Sequence, residues 1–172
     1  INLGLNLVDS ALSEVNPELL ENWFTLTGNW EQLVRLFTNL IGNALQYTPP
    51  QGVIKVELER IEGINRVTGR RYTNSHLQIK VSDTGTGIPA DALPKLFDRF
   101  YRVDPARTHR GGKTATATTT GSGLGLAIAQ AIIEHHQGQI QVTSNLGEGT
   151  TFTVILPILS QESGVQELGV RS

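Results

Sequence analysis

The chain contains no cysteine, which excludes disulfides, thiolate metal sites and cysteine nucleophiles. That absence fits a reducing compartment, and the cytoplasm is the expected location. Methionine is also missing, so a chain opening on Ile1 is expected to be a processed product or a piece of a longer protein. No apolar run reaches the ~18 residues of a spanning helix, and no basic-then-apolar signal layout stands at the N-terminus. A membrane anchor, if the parent has one, is expected outside this segment. There is no basic block and no basic amphipathic helix, and the formal charge is only −2. Neither nucleic acid nor direct membrane contact is expected. The 172 residues suit one ordinary domain, since domains run to about 100–200 residues.

What the chain does have is strong periodicity. Within residues 31–47, Leu33, Leu36, Phe37, Leu40, Ile41 and Ala44 recur at three- and four-residue steps, predicting a helix buried along one stripe. Pro49, Pro50 and Gly52 end it, and Ile54, Val56 and Leu58 then alternate with Lys55, Glu57 and Glu59 as in a half-buried strand. A second strand is expected at Leu77, Ile79 and Val81, across a polar hairpin loop over residues 63–76. A helix over about residues 123–136 and strands over 139–144 and 150–156 complete the pattern. Alternating strands imply one covered and one wet sheet face, hence an α+β two-layer α/β sandwich with the helices on one face of a mixed, mostly antiparallel sheet. Residues 102–120 are long, Thr- and Gly-rich and nearly free of apolar side chains, and they are expected to act as a lid. The domain is expected to occupy residues 1–159, with a loose polar tail over 160–172.

Four glycine and asparagine clusters lie on this framework. Asn39 and Asn43 are four residues apart, so their amides leave the same side of the first helix, where their carbonyl oxygens can meet a hard cation. Asp83 ends a strand and is followed by Gly85 and Gly87, which let backbone approach a flat ligand while the carboxylate accepts from an amino group. Gly121, Gly123 and Gly125 lead into the second helix, whose unpaired N–H groups and dipole favour an anion, phosphate above all. Gly147 and Gly149 turn the last hairpin, ahead of Thr150. Taken alone, the asparagine pair reads first as solvated side chains and Asp83-Thr-Gly85 as a plain turn, whereas the Gly121 cluster favours phosphate over a flexible linker. Together they supply what a site for Mg²⁺ and ATP requires.

Two look-alikes fail. Gly85-Thr-Gly87-Ile-Pro-Ala90 fits a dinucleotide fingerprint with Asp104 downstream, but Pro89 and Pro94 interrupt the turn-to-helix passage and no second β-branched strand ends at the acid. Gly112-Lys113-Thr114 resembles a P-loop, yet the required earlier glycine falls at Arg107. Phe97 and Phe100 are read as core packing, with a lid hinge or a partner-helix contact as the sharper alternative. The four histidines show no metal-ligand spacing, and His135 and His136 are placed at a helix end where positive charge suits the dipole.

From about residue 29 to 157 these residues resemble the ATP-binding catalytic domain of sensor histidine kinases. The order matches: Asn39-Leu-Ile-Gly-Asn43-Ala-Leu-Gln-Tyr47-Thr as N box, Asp83 to Ile88 as first glycine box, Phe97 to Phe100 as F box, then the clusters at Gly121 and Gly147. The resemblance implies the Bergerat-type fold shared with gyrase-type topoisomerases, a heat-shock chaperone and mismatch-repair ATPases. It implies that Asn39 and Asn43 serve Mg²⁺ and phosphates, that Tyr47 packs by adenine, and that Asp83 accepts from its amino group. Gly85 and Gly87 would shape the base pocket, and Ile88 and Thr150 would also bind the nucleotide. Gly121, Gly123, Leu124, Gly125 and Leu126 would lie by the phosphates, Arg107 would reach the γ-phosphate, and Phe97 and Phe100 would set the lid.

Relatives that hydrolyse ATP usually carry Glu where Asn39 stands, and an amide cannot take a proton at neutral pH. Transfer to a histidine is therefore expected over hydrolysis. Gln46 departs from the Lys or Arg common in these kinases, leaving Arg107, Arg110 or Lys113 to compensate. No histidine here has an adjacent acid and a nearby proline, so the acceptor is expected in a separate phosphoacceptor domain of the parent, with a response regulator acting downstream. The chain alone should not autophosphorylate. A nucleotide-binding module without transfer activity and a hydrolytic ATPase of the same fold are the alternatives.

Overall fold

The computed structural model describes residues 2–7, 26–61, 75–103 and 122–158. In order they form β1 (Asn2–Leu7), α1 (Trp30–Tyr47), β2 (Val53–Ile61), β3 (His76–Asp83), a 3₁₀ turn (Leu93–Lys95), α2 (Gly125–His135), β4 (Gln139–Asn145) and β5 (Gly149–Pro157). The sheet order is β1-β2-β3-β5-β4. β1 runs parallel to β2 and every other pairing is antiparallel, so the sheet is mixed as expected. β1 itself has no counterpart in the sequence reading, because Asn2, Gly4 and Asn6 alternate without a flanking turn signal.

The core lies between the sheet and the helices. Leu36, Leu40 and Ala44 present the buried stripe of α1, and Ala129, Ile132 and Ile133 that of α2. They meet Ile54, Leu77, Ile79, Val81, Phe152, Val154 and Leu156 from one face of the sheet. Leu36 and Leu40 are fully buried, so truncating either to alanine should cost about 2–5 kcal/mol. The opposite face is polar, as alternation predicts, but not uniformly wet. Gln78 and its cross-strand neighbour Ile155 are buried there, and Gln78 donates to Glu59 at 2.8 Å.

The Asn29 side chain caps α1 by accepting from the Gln32 N–H at 3.0 Å. The Asn29 N–H in turn donates to Nε2 of His136 at 3.1 Å, while His136 Nδ1 lies 2.8 Å from the Ile132 carbonyl. The tautomer with its proton on Nδ1 satisfies both contacts. His136 thus ties the start of α1 to the end of α2 through hydrogen bonds, at the helix end where the sequence placed it. Since Gly125 lies beside Asn39, the two helices run antiparallel and bring the start of α2 against the middle of α1.

Phe97 and Phe100 part company. Phe97 packs against the core, whereas Phe100 is 71% exposed. The chain takes φ 64° at Phe100, and its N–H donates to the Gly123 carbonyl at 3.0 Å. Helix α2 begins two residues later than predicted because Gly123 has φ 70°, which no helix accommodates.

Candidate functional site

One end of the helix-covered sheet face carries two of the predicted residues, Asp83 and Thr150, side by side. Cross-strand register places Ile54, Asp83, Thr150 and Ser144 in a single row over β2, β3, β5 and β4. The next row inward, Val81, Phe152 and Val142, is apolar and rests on the core. Hydrophobic packing therefore fixes the platform, and the polar row stands at its rim. A cleft of about 470 Å³ opens there, with Asp83, Leu93, Val142, Ser144, Gly149 and Thr150 among its walls.

Asp83 is half-buried, and its Oδ1 accepts the Gly85 N–H at 2.8 Å. Burial pushes the carboxyl above the usual aspartate range, while backbone hydrogen bonds from Gly85 and Thr150 pull part of the way back. Its orientation is set by backbone amides.

The loop after Asp83 is stitched on both sides. Thr86 donates its N–H to the Tyr47 carbonyl at 3.2 Å, joining it to the end of α1. Gly147 donates to the Thr86 carbonyl at 2.8 Å, and Ile88 to Ser144 Oγ at 2.8 Å, joining it to the β4–β5 turn. Two glycines permit this closeness. Gly87 has φ 67°, and a Cβ there would overlap the Asn145 carbonyl; Gly149 has φ 121°, and a Cβ would overlap the Asp83 carbonyl.

Asn39 and Asn43 lie half-buried on α1 beside its apolar stripe. A Cβ on Gly125 would come within 3.5 Å of Asn39 Oδ1, so the N box meets the start of α2. Asn39 Nδ2 is buried without a hydrogen-bond partner. Facing it, α2 has Leu124 at its N-cap and no side-chain cap, so the N–H groups of its first turn keep their donors available. The site thus offers acceptors at the sheet end and, at the helix end, the unpartnered Asn39 amide beside a helix start without a side-chain cap.

Tyr47 is 46% exposed in the last turn of α1, while Ile88, Phe97 and Leu126 pack against the core edge. Leu124 is half-buried. Arg107 and Gly121 lie outside the described residues, as do most of the expected lid and the tail. Ser144 was missed by the sequence reading. Counting back across the Gly147–Gly149 turn would have set it opposite Thr150, but only with the hairpin register in hand.

Three comparisons bear on this arrangement. The family model described as histidine kinase-, DNA gyrase B- and HSP90-like ATPase matches residues 28–160. The sensor histidine kinase RppB of Synechocystis is 38% identical over 91% of this chain and 30% of its own length. The sensor histidine kinase CusS of Escherichia coli O157:H7 is 39% identical over 77% of this chain and 23% of its own. The chain therefore spans less than a third of these relatives. Among solved structures, the mycobacterial sensor histidine kinase MprB superposes with TM-score 0.62 at 24% identity, covering 91% of this chain and 80% of that one. Full-length ShkA, solved with AMPPNP, superposes with TM-score 0.59 at 23% identity over 91% of this chain and 25% of that one. With the family model spanning most of the chain and the fold shared with kinase catalytic domains, the chain belongs to the histidine kinase-, DNA gyrase B- and HSP90-like ATPases, as an ATP-binding domain of the sensor kinase type.

Proposed function

We propose that this chain binds Mg²⁺ and ATP and transfers the γ-phosphoryl group to a histidine in a separate phosphoacceptor domain of its parent kinase, from which a response regulator is charged. The observation that carries the reading is the division of the site. An acceptor rim around Asp83 suits a base bearing an amino group, and the orphaned amide of Asn39 beside the uncapped start of α2 suits phosphate oxygens.

The residues present fit magnesium. The Asn39 and Asn43 side-chain oxygens are hard neutral ligands, and the described residues contain no group of three acids, histidines or cysteines to cage an ion. Magnesium is commonly held by one or two protein oxygens with phosphates and waters completing its shell. When bound it would neutralise charge on the phosphate oxygens. Asn39 has no basic atom with which to deprotonate water, so the site favours holding the γ-phosphoryl for attack by an incoming imidazole. Its contribution is positioning and charge stabilisation.

In this reading Gly85, Gly87, Ile88 and Thr150 surround the base with Tyr47 beside it. Gly121, Gly123, Leu124, Gly125 and Leu126 flank the phosphates, and Arg107 reaches the γ-phosphate from a lid over residues 102–120. Phe97 and Phe100 anchor that lid. The catalytic domain takes in residues 1–159.

The test combines titration calorimetry with MgATP and phosphotransfer to the parent's acceptor domain, for wild type and Asn39→Leu. Wild type should bind and transfer. Asn39→Leu removes a buried unpaired donor that costs about 1–3 kcal/mol, so it should melt no lower than wild type without nucleotide yet bind about tenfold more weakly or worse. Tight binding with no transfer would point to a module without transfer activity. Steady phosphate release abolished by the substitution would point to a hydrolytic ATPase.

A further inference from the structure

Ser144 makes three contacts, and proton counting on them gives more than their distances. Its Oγ accepts the Ile88 N–H at 2.8 Å, lies 2.7 Å from the Gly149 carbonyl oxygen and 2.9 Å from Thr150 Oγ1. A serine hydroxyl has one proton and two acceptor positions. A carbonyl oxygen can only accept, so the Ser144 proton goes to Gly149. The Ile88 amide fills one acceptor position. The remaining contact then requires Thr150 to donate its own proton to Ser144.

That assignment fixes the polarity of Thr150. The side chain is buried, with Ser144 as its partner, and it stands beside Asp83 in the row that rims the cleft. With its proton committed to Ser144, Thr150 can only accept from a ligand. Asp83, which already receives the Gly85 N–H, offers carboxylate oxygens that accept as well. Two neighbouring strands therefore show two acceptors to whatever enters.

We propose that Ser144 is a specificity-positioning residue: by taking the Thr150 proton it makes the rim an acceptor pair, which admits a purine with an amino group at C6 and rejects one with an oxo group there. The proposal rests on the reading of this cleft as the base pocket. A 6-amino group brings donors to the pair. A 6-oxo purine offers one donor, its N1–H, where the amino group offers two, and it sets its oxygen as a third acceptor in a partly buried place where unmatched polar groups are costly. In a Ser144→Ala variant the Thr150 hydroxyl loses its acceptor and is free to turn its proton into the cleft.

The experiment measures binding of ATP and inosine triphosphate by calorimetry to wild type, Ser144→Ala and Ser144→Thr. Wild type should favour ATP, Ser144→Ala should lower the ATP-to-inosine preference about tenfold, and Ser144→Thr, which keeps the hydroxyl, should restore most of it. A purely structural serine would weaken both ligands together and leave the ratio unchanged, which overturns the proposal. Wild type alone supplies a second measurement through purine riboside triphosphate, which has only hydrogen at C6. It should bind more weakly than ATP and more tightly than inosine triphosphate. If the oxo compound binds as well as the unsubstituted one, the acceptor pair does not exist. Failure of wild type to bind ATP at all would remove the proposed function, whereas ATP binding with a ratio indifferent to Ser144 removes this inference alone.

Discussion

Gly149→Ala is the sharpest test of how the site is assembled. The residue opens β5 opposite Asn145, with φ 121°, a region that side chains other than hydrogen rarely occupy. An added Cβ would sit 2.8 Å from the Asp83 carbonyl carbon and 2.9 Å from Thr84 Cα, and closer still to the Asp83 oxygen. All three atoms are backbone, so no side chain can rotate aside. The conformational strain is about 1–3 kcal/mol and the overpacking another 1–3 kcal/mol, giving a loss of about 2–6 kcal/mol against a typical total of about 5–15 kcal/mol. Gly42→Ala is the matched control. Gly42 lies inside α1 with open space around its would-be Cβ, so alanine there should gain about 0.5–1 kcal/mol. Urea unfolding of the two variants beside wild type reads both signs. A Gly149→Ala variant within about 1 kcal/mol of wild type would refute the claim that these two turns are pressed backbone to backbone.

Two further substitutions probe the polar framework. Because burial raises the Asp83 carboxyl, the folded state holds that proton more tightly than the unfolded chain does, and ionisation costs stability above the folded titration point. Asp83→Asn should therefore melt above wild type near neutrality, with the margin shrinking as pH falls through the raised range and gone below the ordinary carboxylate range; a margin that grows in acid would reverse the assignment. His136→Ala strands the Asn29 N–H and removes the ring contact to the Ile132 carbonyl, which keeps its bond from the backbone N–H of the same position. It should lower unfolding stability by about 0.5–1.5 kcal/mol, and His136→Gln, which can accept and donate, should recover part of that loss in the same urea assay.

Much of the fold could be read because the helices and strands carry opposite periodicities. The mixed three- and four-residue steps of Leu33, Leu36, Phe37, Leu40 and Ala44 belong to a helix, and the alternation of Leu77, Ile79 and Val81 to a half-buried strand. β1 escaped because an edge strand in parallel pairing gains most of its definition from its neighbour, and nothing local marks it. The site was legible as residue types. Asp83, Asn39 and the glycines announce what they can touch, but not which proton sits where. Ser144 acquires meaning only from three partners at sequence distances of 5, 6 and 56. The role of His136 likewise depends on an amide 107 positions away. The contrasting fates of Phe97 and Phe100 come from a positive φ that no aromatic residue advertises.

The hydrogen bond between Phe100 and Gly123 closes a neck: the chain departs and returns through the same doorway. The entropy of closing a loop grows only with the logarithm of its length, so each doubling adds about 0.6 kcal/mol. With the neck held by backbone, insertions, deletions or changes of composition between those two points leave the sheet and both helices in register. Sequence between those two points can thus change without renegotiating the platform beneath it.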